Sequence, residues 1–157
     1  MSLFGNPKYQ YRETYFILFE NENRPSEDDL TKAISELGDR FEIKEIHRDQ
    51  NDQFESMTVV SPSDFAGIDF TFLEGEEVME QVAELNEQFK TTTLTGDELE
   101  KIGKISKCRA RFDVLHFEEI TGNADDVLDP GSLLAVVEGI AAICDGVGID
   151  RESLTIL

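Results

Sequence analysis

The chain reads as an α+β protein, and three observations carry that reading. Runs rich in aromatic and β-branched residues, such as ETYFILFE, IDFTFLE and KCRARFDVLHFEEI, have strand character. Between them lie segments whose apolar residues recur at helical spacing behind identifiable caps. A polar connection, DQNDQ, joins two strand-like runs as a hairpin would, which makes the expected sheet rich in antiparallel pairs.

Each element has a local cause. The first strand, ETYFILFE, ends at the turn-rich NENRPS. Ser26 then caps a helix whose positive end suits Asp28 and Asp29 and which Gly38 stops. Leu30, Ala33, Ile34 and Leu37 form its one buried stripe. RFEIKEIHR and FESMTVVS follow as the arms of the hairpin, then SPSDFAG turns into IDFTFLE. A second helix is predicted from Glu76 to Phe89, with Val78, Val82, Leu85 and Phe89 inward. In TTTLTGDELEKIGK, Thr95 and Glu98 have capping-box spacing for a short helix that Gly103 ends. The strand KCRARFDVLHFEEI is broken by TGNADDV, and Asp129 with Pro130 opens a third main helix, apolar on nearly every side. Gly146 and Gly148 end it, and SLTIL adds a terminal strand.

That order resembles the split βαβ arrangement of ferredoxin-like domains: an antiparallel-rich sheet, helices mainly on one face, and an added apolar C-terminal helix. Residues 1–10 read as a disordered N-terminal segment and 11–157 as a single α+β domain. YFILFE, DFTFLE and DVLHFEE look alike, as strand-then-helix units commonly do.

The charge balance limits function. Thirty-four acids against fourteen bases give a net charge of −20 over 157 residues. Such a surface repels nucleic-acid phosphates and anionic lipid, and attracts basic proteins or cations. Excess acid also serves solubility alone. Cys108 and Cys144 lack metal or redox spacing and read as buried, reduced residues. SLLAVVEGIAAIC is too short to span a bilayer, and MSLFGNPKYQYR lacks the form of a signal peptide, so a cytoplasmic location is expected.

Against this background, Lys101, Lys104, Lys107, Arg109 and Arg111 gather within eleven residues that hold no acid. On a regular strand Lys107, Arg109 and Arg111 share one face, and Cys108, Ala110, Phe112 and Val114 the other. Two readings stand. Acids such as Glu42 or Glu55 pair with the cations internally; or the cations, with His116 on the same strand, hold an anionic metabolite. The parity of His116 places it with Phe112, away from the arginines.

Glu20, Glu74 and Glu118 end three strands and would suit a hard cation if the strands were parallel neighbours, but no calcium-loop spacing accompanies them and no metal or other cofactor is expected. No nucleophile elbow or phosphate-binding glycine pattern appears. The leading expectation is a non-catalytic acidic domain that binds a basic protein through Glu76, Glu77, Glu80, Glu84 and Glu87, with Asp125, Asp126 and Asp129 as neighbours. A small-molecule site at the basic strand is the alternative, and a homodimer through the last helix a further expectation.

Overall fold

The computed structural model describes residues 3, 6–62, 66–90, 95–120, 130–153 and 156–157, with the side chains of 130–133 left aside. Asp125, Asp126 and Asp129, and hence the expected cap of the last helix, lie outside the described residues. Strands β1 (Tyr9–Phe19), β2 (Glu42–Arg48), β3 (Phe54–Ser61), β4 (Ala66–Glu74), β5 (Ala110–Glu119) and β6 (Val147–Asp150) form one sheet in the order β2-β3-β4-β5-β1-β6. Every neighbouring pair is antiparallel. Helices α1 (Glu27–Glu36), α2 (Glu76–Phe89), α3 (Gly96–Ile105) and α4 (Pro130–Ile143) complete an α+β architecture.

One split unit is present, β5–α4–β6 with β1 between its strands. The four-strand ferredoxin-like order is not reproduced, because β5, β4 and β3 lie between β1 and the strand to which α1 leads. The expectation that helices gather on one face also needs correction. Helices α1 and α4 pack over Ile17, Phe19, Phe70, Phe112 and Val114, whereas α2 and α3 cover Leu18, Leu73, Val147 and Ile149 on the reverse. The cause is β1 itself: Ile17, Leu18 and Phe19 are successive and all 0% exposed, so both faces of the strand require a cover.

Local chemistry sets the boundaries. Ser26 Oγ accepts from the Asp29 amide and the Asp29 carboxylate accepts from the Ser26 amide, a closed capping box. Gly38 follows α1 at φ 129°, a conformation that costs a β-carbon-bearing residue strain. The 49–53 hairpin is organised by Asp49, whose Oδ1 accepts from the amides of Asn51 at 2.9 Å and Gln53 at 3.0 Å. Those donors hold its carboxyl below the usual range. Arg24, before α1, closes the same corner: its guanidinium lies 3.7 Å from the Phe72 ring centroid and donates to Gln53 at 2.8 Å and to the Phe54 carbonyl at 2.5 Å.

Strand β1 begins at Tyr9, inside the segment set apart as disordered, and Leu3 is buried against Val60 and Phe117. Helix α3 passes Gly103 and reaches Ile105 because nothing at that glycine demands a left-handed conformation. Gly148, expected to end α4, instead belongs to β6.

Phe112 is the hub of the larger core, with ring centroids 4.9 Å from Phe19, 6.0 Å from Phe54 and 6.1 Å from Phe72. Phe112→Ala is expected to lower stability by about 3–5 kcal/mol, the range for truncating a buried aromatic. Urea unfolding of the two proteins measures it; a loss below about 1 kcal/mol would contradict this packing.

Candidate functional site

Helix α2 starts at Gly75, whose φ of 102° lets the chain leave β4 abruptly. Val78, Val82, Leu85 and Phe89 then face the sheet as the spacing predicts. Beneath the helix lies Arg111, 7% exposed, on the same sheet face. Its Nε donates to Asp113 Oδ1 at 2.7 Å, one terminal nitrogen donates to Gln81 Oε1, and the other to Glu77 Oε1 at 3.4 Å. The guanidinium carbon sits 4.7 Å from the centroid of Phe16. Arg111 therefore ties α2 to β1 and β5, and its fork spends its hydrogen bonds inside the protein. Burial pushes the Asp113 carboxyl up, against the downward pull of Arg111.

The opposite side of α2 is different. Glu76, Glu80, Glu84 and Glu87 follow one another at helical spacing with Met79 and Ala83, and all six are exposed. Glu87 pairs with Lys90 at 2.7 Å. Glu77 leans toward Arg111 while its side chain stays 69% exposed. Glu76, Glu80 and Glu84 make no ion pair among the described residues. Met79, 46% exposed, sits among them as one of the few large apolar side chains on the surface.

The basic run is not a row of three cations on a strand. Lys107, Cys108 and Arg109 precede β5 in the turn after α3, because the amides of Lys107 and Cys108 bond back to the Lys104 and Ile105 carbonyls. Arg109 donates to the carbonyls of Ser106 at 3.1 Å and Cys108 at 2.8 Å. Lys104 pairs with Asp145 at 2.8 Å, and Lys101 donates to the Leu157 carbonyl at 2.6 Å. Lys107 is exposed. His116 points to the sheet face opposite Arg111, as its parity predicts, so these two do not share a site.

His116, 1% exposed, places Nδ1 3.3 Å from Glu13 Oε1, which also accepts from the Tyr15 hydroxyl at 3.3 Å. Its Nε2 has no hydrogen-bond partner among the described residues. Burial lowers the His116 pKa, and the neighbouring Glu13 carboxylate only partly offsets this. Tyr15 is pushed up to about 12 by burial and then by Glu13. Burial also raises Cys108 to about 11 and Cys144 to about 12, which keeps both as inert thiols.

Glu20 and Glu74 lie at one end of the sheet and Glu118, on the antiparallel β5, at the other. Among the described residues no group of three or more His, Cys, Asp or Glu is placed to hold a metal ion. Among the same residues no helix is long and apolar enough to cross a membrane. The chain matches no protein-family model, no curated protein and no solved structure.

The Arg111 tie was legible only as a charge anomaly; the signal that separates it from a ligand site is Gln81, one helical turn after Glu77 on α2. Removing the cation leaves the half-buried Asp113 without it, so Arg111→Ala should cost about 2 kcal/mol or more. Adding Asp113→Asn to that variant should recover part of the loss. A urea-unfolding cycle with no recovery in the double variant would mean the two groups do not depend on one another.

His116 sets a second expectation. The unfolded chain takes its proton near pH 6.5, whereas the folded chain resists it until lower pH. Stability from this group is therefore complete above about pH 6.5 and declines as pH falls toward the depressed folded value. His116→Gln should flatten the profile in that window. Parallel profiles for the two proteins would count against the burial of this imidazole.

Proposed function

We propose that the protein is a non-catalytic acidic interaction domain that binds a basic protein, with the outer face of α2 as the contact surface. The observation that carries this reading is the exposed stripe of Glu76, Met79, Glu80, Ala83 and Glu84, whose carboxylates make no ion pair among the described residues while several of the chain's bases are engaged elsewhere. Glu77 and Glu87 flank it. An apolar side chain ringed by charge suits a protein partner: Met supplies adaptable contact area, and the acids steer encounter and reject like-charged surfaces. The reading extends to a cytoplasmic setting, no binding of nucleic acid, and a homodimer through α4, where Ala142 and Ile143 remain exposed.

An anionic metabolite at Lys107, Arg109, Arg111 and His116 has less behind it. Arg111 is engaged by Asp113, Gln81 and Glu77, and His116 lies across the sheet.

Affinity capture from the source cell, with the wild type beside a Glu76→Gln, Glu80→Gln, Glu84→Gln variant, tests the proposal. A basic protein should be retained by the wild type at low salt, and released by moderate salt or by the three substitutions, with retention down about tenfold. If every basic protein recovered is held equally by the variant, α2 is not the contact surface and the reading fails.

A further inference from the structure

The acidic face of α2 and the buried side of the sheet meet at one group, Arg111. Its guanidinium has three acceptors of different kinds. Asp113 Oδ1, on a side chain 21% exposed, accepts from Nε at 2.7 Å. Gln81 Oε1 accepts from one terminal nitrogen and is neutral, so it fixes the fork over Phe16 without cancelling its charge. Glu77 Oε1 accepts from the other at 3.4 Å, a loose contact, and its side chain is 69% exposed beside the stripe of Glu76, Glu80 and Glu84. One cation therefore faces two carboxylates, one inside the seam and one on the contact surface.

The two carboxylates differ in their surroundings. Opposite charges attract most strongly where water is scarce, so a charged Asp113 holds Arg111 and leaves the charge of Glu77 turned outward. A neutral Asp113 leaves the guanidinium with Glu77 as its one anionic acceptor, and that contact tightens. The remaining neighbours do not reverse this balance. Phe16 on β1 and Thr71 on β4, the cross-strand partners of Asp113, carry no charge, and Gln81 is the other α2 side chain at the fork. Burial raises the Asp113 carboxyl most; Arg111 lowers it, Glu77 raises it, and Arg151 beyond β6 lowers it again.

We propose that Arg111 regulates the acidic face of α2: discharging Asp113 draws the guanidinium onto Glu77, and the face loosens its hold on a basic partner. The regulation rests on α2 being the contact surface. Partner binding and the Asp113 proton are then linked in both directions. A cation that engages Glu77 returns Arg111 to Asp113 and favours its charged form. Acid, by protonating Asp113, weakens the complex.

Asp113→Asn supplies the discharged form at neutral pH and keeps an oxygen for Arg111 Nε. The probe is fluorescein-labelled hexalysine, titrated by anisotropy at low salt into the full chain and its Asp113→Asn, Glu77→Gln and doubly substituted variants. Asp113→Asn should bind about threefold more weakly than the wild type, and should make no further difference once Glu77→Gln is present. Equal binding by the wild type and Asp113→Asn would overturn the proposal. So would the same loss in the Glu77→Gln background, because the charge would then act through space and not through the shared arginine. If the Glu76→Gln, Glu80→Gln, Glu84→Gln variant binds hexalysine as the wild type does, the contact surface and its regulation both fail. If that variant loses binding while Asp113→Asn does not, the contact surface stands and the regulation alone fails. With no partner present, the Asp113 carboxyl carbon, followed by NMR, should titrate at lower pH in Glu77→Gln than in the wild type, since the arginine is no longer shared. An unmoved midpoint would also overturn the proposal.

Discussion

The stretch Tyr15–Phe19 in β1 is buried residue after residue, and the rest of the molecule is arranged to make that possible. A strand sends successive side chains to opposite faces, so an unbroken apolar run needs cover on both. Each large side chain taken out of water contributes about 1.5–3 kcal/mol, so a bare face would forfeit several such terms. Helices α1 and α4 seal the side of Ile17 and Phe19; α2 and α3 seal the side of Leu18. The position of β1 between β5 and β6 follows from the same constraint, since backbone groups in a doubly covered strand must be paired on both edges.

Phe16 departs from simple apolar cover. The guanidinium of Arg111 lies over its ring, and the side chains that satisfy that guanidinium belong to β5 and α2. A chain with fourteen bases and thirty-four acids thus spends one of its scarce cations at the seam between sheet and helix. Arg24 plays a comparable part over Phe72. Surface pairs such as Lys44–Glu42 and Lys90–Glu87 contribute little by comparison, on the order of 0–1 kcal/mol each. The acid excess is accordingly expressed outward, as where α2 turns its back on the sheet.

Elements set by local chemistry were legible in the sequence. The cap at Ser26, the capping box at Thr95, Gly38, the 49–53 hairpin and the inward stripe of α2 all depend on residues within a few positions of one another. The parity of His116 was legible for the same reason. Strand order was not, because the pairing of β1 with β5 joins segments about a hundred residues apart and no local pattern encodes it. The basic run misled in a specific way. A regular strand through Lys107, Arg109 and Arg111 aligns the three, but the turn after α3 delays β5 until Ala110. The outward stripe of Glu76, Glu80 and Glu84 was visible, whereas the exposure of Met79 within it needed the packing of Val78 and Val82 to fix the helix's rotation. The two helix layers had a signal that periodicity alone understates: YFILF does not alternate, and a strand that does not alternate is buried on both sides.

The two edges of the sheet are protected by different means. Edge strand β2 carries Glu42, Lys44, Glu45, His47 and Arg48, with Lys44 against Glu42, His47 against Glu45 and Arg48 against Glu27. A charged, self-paired edge discourages a passing strand from adding to it. Strand β6 offers Val147, Gly148 and Ile149, with no charge before Asp150. That composition is an open template unless something covers it, and what covers it is a strand fragment from the same chain. Charge protects an edge permanently, because repulsion cannot be set aside. At β6 the cover is main-chain pairing and apolar burial instead: Ile156 bridges Ile149, and Leu157 packs against the cluster under α4.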